Sequence, residues 1–139
     1  MANPDVITRK VARASAWLDD AEALASLPAE EFLADVKSRD LASFYIFLTI
    51  QECIDLAAHW VADAGWGSPD DAASLFDVLA DRDVIDQDLA TSLRGAVGLR
   101  NRIAHGYASV DHARMQIEFR EGAAALRRFL ARAVSEAGL

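Results

Sequence analysis

The segment from residue 38 to residue 64 reads SRDLASFYIFLTIQECIDLAAHWVADA, and its length and apolar pattern decide the fold. At about 100° per residue, its apolar side chains fall on two sides of a helix. A helix that is apolar on two sides is buried on two sides, so one side predicts contact with a bundle core. The other side requires a further surface, such as that of a second subunit. The first side carries Ile46, Ile50, Ile54, Ala57 and Val61, and the second carries Leu41, Phe44, Tyr45 and Leu48.

Helical patterns flank this segment on both sides, and no stretch alternates as a strand does. Asn3 followed by Pro4 is typical of a helix start, and Asp86 is a further candidate N-cap. Short loops between long amphipathic helices favour an all-α, antiparallel up-and-down bundle with additional short helices, as a single domain over residues 1–139. The predicted helices cover residues 4 to about 24, about 28–35, about 38–64, about 69–81, about 87–104 and about 110–136.

The composition predicts a cytoplasmic protein without a membrane span. No window of 18 residues is uninterruptedly apolar, and the N-terminus lacks a basic region followed by an apolar run. Cys53 is the only cysteine, so it has no partner for an internal disulfide, as is usual in a reducing compartment. The three histidines and Cys53 lack the spacing of a zinc site, so we expect no metal and no cofactor.

The charge is divided unevenly along the chain. The net charge of −8 argues against broad electrostatic attraction to nucleic acid. Residues 94–139, however, carry eight arginines against four acids, whereas residues 1–93 carry 18 acids against six bases. Arginine is well suited to forked contacts with phosphate, so the C-terminal part is where we expect an anion site, if the chain has one.

Arg100 lies in the middle of an otherwise apolar helix face. An unpaired buried charge costs several kcal/mol, and arginine cannot escape this cost by losing its proton. Its side chain must therefore be paired, with Glu52 and Asp55 as the natural internal partners, or it must line a site that takes anions. The spacing leaves both interpretations open. The apolar positions of that face are Leu89, Leu93, Ala96, Ile103 and Ala104.

His105 follows Arg100 by five residues and on an unbroken helix would point about 140° away from it. Gly106 predicts that the helix ends at Ala104 or His105, which would allow the imidazole to turn toward Arg100. A histidine at a helix C-terminus is also a favourable partner for the helix dipole, and that simpler role stays open.

Residues 100–107 read RNRIAHGY, which resembles the signature of the HEPN nucleases, an arginine and a histidine separated by four to six residues. Four intervening residues, an asparagine directly after the arginine and a tyrosine two residues after the histidine are similar to the HepT-like toxins in particular. Upstream segments are similar in order and spacing, so the resemblance covers about residues 40–135. These segments are IQECIDLAAH at 50–59, GWGSP at 65–69, LFDVL at 75–79 and GAVGLR at 95–100.

The resemblance implies a metal-independent endoribonuclease that uses the 2′-hydroxyl of RNA as its nucleophile. Histidine suits acid–base work near neutral pH, and arginine suits the charge that develops on phosphate oxygens. His105 and Arg100 are therefore the expected catalytic pair, with Asn101 orienting the imidazole or contacting phosphate. Glu52, Asp55 and Arg102 are expected to support the cleft. A two-fold homodimer would bring two copies of Arg100 and His105 to one cleft.

The resemblance also implies a regulatory partner. In HepT-like toxins the tyrosine that matches Tyr107 receives AMP from a minimal nucleotidyltransferase, the antitoxin. Added nucleotide would bring negative charge and bulk to the place where RNA phosphate must bind. Tyr107 is thus the predicted AMP acceptor, and RNA and the antitoxin are the predicted partners.

Two other interpretations use the same residues. One is a non-catalytic HEPN module that binds nucleotide or a nucleotidyltransferase and serves as a scaffold. The other is a plain helical dimerisation protein in which Arg100 belongs to a structural ion pair. Removal of Arg100 or His105 separates both from a nuclease, because only a nuclease depends on these side chains for RNA cleavage.

Overall fold

The computed structural model describes residues 3–106 and 109–138, and in that part of the chain the secondary structure is helical throughout. The all-α bundle predicted from the sequence is confirmed. Five helices begin with a side-chain oxygen that accepts a backbone N–H, supplied by Asn3, Asp35, Asp71, Asp86 and Asp111. The helices are α1 (Pro4–Ala25), α2 (Ala29–Ala34), α3 (Val36–Asp63), α4 (Ala72–Asp81), α5 (Gln87–Gly106) and α6 (His112–Glu136).

The capping hydrogen bonds favour the charged form of the aspartates. The backbone N–H of Ser74 lowers the pKa of Asp71. The backbone N–H of Leu89 lowers the pKa of Asp86, and Arg128 adds to this effect. A carboxylate that accepts an N–H at a helix start also faces the positive end of the helix dipole. The predicted N-caps Asn3 and Asp86 are therefore confirmed.

Helix α3 lies at the centre of the bundle and packs against each of the other five helices of the described chain. Its predicted core side is buried throughout, from Ile46 to Val61. At its C-terminal end Trp60 packs near Phe129, whose ring meets Phe76 edge-on with centroids 5.4 Å apart. Burial raises the pKa of the Cys53 thiol to about 12, which is consistent with a purely structural cysteine.

The second apolar side of α3 is only partly covered. Leu41 and Phe44 are 43% and 55% exposed, and Tyr45 and Leu48 are half-buried. By length and composition alone α3 is apolar enough to cross a membrane, but half of the relevant window is buried inside the bundle. The core helix of a soluble protein has this same character, so the apolar composition of α3 is weak evidence for a membrane span.

Two predicted helix boundaries need correction. α4 begins at Ala72 rather than near residue 69, because Asp71 supplies the cap. α5 continues through His105 to Gly106 and does not end before them. Gly65 has a left-handed φ of 73° and follows the end of α3 as predicted, whereas Gly106 is not among the glycines with positive φ. The helix break expected beside His105 is therefore absent.

Candidate active site

Arg100 occupies the middle of the buried face of α5, as its helical angle predicted. Its side chain is half-buried, and Leu93, Val97 and Ile103 on the same face are buried. One guanidinium nitrogen, Nη1, donates a hydrogen bond to Oε1 of Gln51 on α3 at 3.1 Å. Nε is buried and has no hydrogen-bond partner within the described residues. The charge of Arg100 thus has a neutral amide, and no carboxylate, as its direct partner.

The predicted ion pair of Arg100 with Glu52 or Asp55 is wrong, because neither carboxylate is hydrogen-bonded directly to Arg100. Glu52 is 7% exposed and accepts a hydrogen bond from Lys10 Nζ at 3.0 Å, which ties α3 to α1. Asp55 accepts from Nε2 of Gln51 at 3.2 Å and reaches Arg100 only through that amide. Successive residues of a helix point about 100° apart, so Gln51 contacts α5 while Glu52 contacts α1.

Glu52 therefore supports the fold rather than the cleft. Lys10→Met is expected to lower the free energy of unfolding by about 2 kcal/mol, because Glu52 would remain buried without its cation. The double variant Lys10→Met/Glu52→Leu is expected to recover most of this loss, since a buried ion pair can often be replaced by apolar side chains. Urea denaturation measures both, with the exposed Lys37→Met as the matched control. A Lys10→Met chain as stable as the control would contradict this role of Glu52.

The arginines of the C-terminal part do not form a free basic patch. All eight belong to the described residues, and six have a carboxylate partner while Arg120 donates to backbone carbonyls of Ala25 and Leu27. Arg100 is the one whose only hydrogen-bond partner is a neutral side chain. The paired residues are Arg94 with Asp77, Arg102 and Arg114 with Glu118, Arg127 with Asp19 and Glu22, Arg128 with Asp86, and Arg132 with Glu136.

His105 is exposed in the last turn of α5 and lines a groove of about 380 Å³ between α5 and the start of α6. Arg102, Arg114 and Glu118 line the same groove, but Arg100 does not. Because α5 is unbroken here, the two predicted catalytic side chains point about 140° apart. The expectation that His105 turns toward Arg100 within one chain is therefore wrong, and Arg102 lies beside His105 rather than beside Arg100.

Asn101 and Tyr107 complete the predicted site. Asn101 is exposed one helical turn before His105, on the same face of α5. Tyr107 lies outside the described residues, and its role as AMP acceptor stays a prediction. Among residues 3–106 and 109–138, no three His, Cys, Asp or Glu side chains are grouped so as to hold a metal ion.

A mostly apolar groove of about 430 Å³, with polar side chains from Asp40, Ser43 and His112, connects the uncovered side of α3 with the end of α5. Phe44 and Phe47 line it from α3, and Ile103 and the exposed Ala104 line it from α5. On the helical wheel Ala104 lies between Arg100 and His105. The groove therefore borders the strip of α5 that separates the two predicted catalytic residues.

Gln51 is the site residue that sequence reasoning missed. A positive charge favours acidic partners, so the sequence predicted Glu52 and Asp55 as the partners of Arg100. Gln51 could have been found from its position in the sequence. It precedes Asp55 by one helical turn and lies on the same side of α3 as Asp55.

Comparison with known proteins links the chain to ribonucleases. Residues 16–133 match the family model described as Ribonuclease HepT-like. A candidate RNase of Archaeoglobus fulgidus is 36% identical over 90 residues, which span 64% of this chain and 67% of that protein. The mRNA nuclease HepT of Shewanella oneidensis is 30% identical over 81 residues, which span 58% of this chain and 61% of that protein.

Solved structures agree on the fold. A tri-AMPylated HEPN toxin of Shewanella oneidensis, in complex with an MNT antitoxin, superposes with a TM-score of 0.83 at 22% identity. The superposition covers 95% of this chain and 97% of that one. A toxin–antitoxin structure with AMP-PNP gives a TM-score of 0.82 at 21% identity, covering 96% and 99% of the two chains. The likeness establishes the same all-helical arrangement over nearly the whole chain.

Proposed function

The chain belongs to the HepT-like ribonuclease family, and from that premise we propose that it is the toxin of a toxin–antitoxin pair and cuts RNA without a metal ion. The observation that carries the proposal is the state of Arg100: a permanent cation on a buried helix face, whose only hydrogen-bond partner among the described residues is a neutral amide. A buried charge without a counter-ion is costly unless its site takes an anion. The phosphodiester of RNA is such an anion.

The proposed reaction is transesterification within the RNA strand. The 2′-hydroxyl loses its proton to a base and attacks the adjacent phosphorus. The bond to the 5′-oxygen breaks, that oxygen accepts a proton from an acid, and a 2′,3′-cyclic phosphate remains. His105 provides acid–base chemistry, and Arg100 stabilises the charge on the non-bridging oxygens. Asn101 orients the imidazole or contacts phosphate.

We propose that the working site is shared between two copies of the chain. Within one chain Arg100 and His105 point to different sides of α5, so the two side chains of a single copy cannot act on the same phosphate. The apolar groove of Phe44 and Ala104 borders the strip between them and needs a cover. A two-fold dimer that buries this groove would place the His105 of one copy near the Arg100 of the other and supply two imidazoles to one cleft.

The dimer can be tested with one substitution. Phe44→Asp is expected to convert the dimer to a monomer and to abolish RNA cleavage, because it places a charge in the apolar groove. Ile117→Asp is the matched control, since Ile117 is 58% exposed on α6 and does not line this groove. Size-exclusion chromatography with light scattering measures the mass. A Phe44→Asp chain that stays dimeric and active would contradict the shared site.

The proposal includes control by a minimal nucleotidyltransferase that serves as antitoxin in the cytoplasm. That partner would transfer AMP to Tyr107, next to the catalytic histidine in sequence. The family membership and the complexes of similar fold with an MNT antitoxin support this part. The experiment that tests the function is RNA cleavage by the purified chain in excess chelator, with the Arg100→Ala and His105→Ala variants beside it.

A further inference from the structure

The immediate surroundings of Arg100 combine three features. Its Nη1 donates to Oε1 of Gln51 at 3.1 Å. Gln51 in turn donates from Nε2 to Asp55 at 3.2 Å, so both ends of its amide are engaged. Nε of Arg100, like Nε of Arg39, is buried without a hydrogen-bond partner among the described residues, which is uncommon for a buried polar atom.

We propose that Gln51 is a positioning residue that holds the Arg100 guanidinium through a neutral oxygen, so that its positive charge stays available for an RNA phosphate. This inference rests on the proposed ribonuclease function. Arginine has five N–H donors, and the hydrogen bond to Gln51 uses one of them. A phosphate can therefore form a forked contact with donors that Gln51 leaves free.

A neutral partner matters because a carboxylate at the same place would compete with the substrate. Glutamate and glutamine have nearly the same shape, but a glutamate would form a charge-assisted pair with Arg100 and cancel its charge. Six other C-terminal arginines, each with a carboxylate partner, illustrate that outcome. Within the described residues Arg100 instead donates to a neutral side-chain amide, which holds the guanidinium without cancelling its charge.

Asp55 determines which end of the Gln51 amide faces Arg100. An ionised carboxylate only accepts hydrogen bonds, so it takes the NH2 end of the amide. The carbonyl oxygen is then the end left for the guanidinium. Without Asp55 the amide could rotate and present N–H groups to a cation, which would push Arg100 away. In this proposal Asp55 supports the cleft through Gln51 rather than by a direct contact with Arg100.

The test compares four variants of the full chain: Gln51→Glu, Gln51→Met, Asp55→Leu and Gln87→Glu. The last is the matched control, because Gln87 is exposed at the start of α5 and gains the same charge. Two measurements are needed. One is the salt dependence of binding to a fluorescent, single-stranded 2′-O-methyl RNA, which cannot be cut. The other is kcat/KM on the matching RNA, and thermal melting shows that each variant folds.

Gln51→Glu is expected to lower kcat/KM on the order of 100-fold, as for loss of one transition-state donor. It should also flatten the slope of log affinity against log salt by about 0.7 for each RNA phosphate that the chain no longer neutralises. Gln51→Met and Asp55→Leu leave the charge of Arg100 unchanged, but the guanidinium is no longer held in its position. They should keep the wild-type salt slope and reduce kcat by about 10-fold to 100-fold.

Two results would overturn the inference. One is a Gln51→Glu chain with the salt slope and cleavage rate of the Gln87→Glu control. The other is a Gln51→Met chain whose salt slope flattens as much as that of Gln51→Glu, because the change would then come from a disturbed fold and not from the added charge. If the wild-type chain binds the RNA but does not cut it, the proposed function fails, while the salt slopes still decide the role of Gln51.

Discussion

The His105→Ala and Arg100→Ala variants are expected to leave RNA intact and to let bacteria grow, whereas the wild-type chain, expressed without an antitoxin, degrades RNA and arrests growth. Loss of the acid–base group should lower the cleavage rate by about 100-fold to 10,000-fold. Loss of the arginine should lower it by about 100-fold to 1,000-fold, because the phosphorane charge is no longer stabilised. Growth curves and the rate of cleavage of labelled RNA in excess chelator measure these effects.

The chain offers matched controls for both substitutions. Arg94 lies on α5 as Arg100 does, but it is paired with Asp77. His59 is exposed near the end of α3 and lines neither the groove of His105 nor the groove of Phe44. Arg94→Ala and His59→Ala are therefore expected to remain toxic. A His105→Ala chain as toxic as the wild type would show that the catalytic assignment is wrong. Intact RNA with the wild-type chain would favour the non-catalytic HEPN module.

Co-expression of the two inactive variants tests where the catalytic pair comes from. A mixed dimer of Arg100→Ala and His105→Ala chains retains one Arg100 and one His105, on different subunits. If the site is shared, the mixture is expected to recover part of the wild-type cleavage, because the mixed cleft has one Arg100 and one of its two imidazoles. If each chain used its own pair, no intact pair would exist and the mixture would stay inactive. The 140° separation on α5 favours recovery.

The helices could be predicted from the sequence because their signals are local. Asn3 and Asp86 cap helices through hydrogen bonds to residues two or three positions away. The apolar period of α3 predicted its buried side correctly along its whole length. The end of α5 could not be predicted in this way. A glycine lowers helix stability by only about 1 kcal/mol, so the packing of the rest of α5 is enough to keep the backbone helical as far as Gly106.

The partner of Arg100 could not be predicted because it depends on how α3 is rotated against α5. The helical angle placed Arg100 on the buried face correctly. Its partner changes completely when α3 turns by one residue, from Gln51 to Glu52, since neighbouring side chains differ in direction by about 100°. The prediction from charge counts failed for the same reason, because ion pairs depend on how the helices pack. The excess of arginine in residues 94–139 suggested a basic patch, but most of these charges are paired with acids, several of them from other helices of the bundle.

Co-expression with a minimal nucleotidyltransferase is expected to add AMP to Tyr107 and to abolish toxicity. The phenol oxygen of Tyr107 would attack the α-phosphorus of ATP, losing its proton to a base, and pyrophosphate would leave. Gly106 and Ser109, the described residues nearest to Tyr107 on either side, line the same groove as His105. Because Tyr107 follows His105 by two residues, an attached nucleotide is expected to add negative charge and the bulk of adenosine close to where the RNA phosphate must approach.

Intact-mass and peptide mass spectrometry of the neutralised chain measure the modification, with Tyr107→Phe as the control that lacks only the acceptor oxygen. Tyr107→Phe should cut RNA like the wild type and should stay toxic when the nucleotidyltransferase is present, because no phenol oxygen is available. Arg102 and Arg114 share a single carboxylate, Glu118, so positive charge remains to hold an AMP phosphate in place. A neutralised complex with unmodified Tyr107 would remove the regulatory role and leave inhibition to direct binding of the antitoxin.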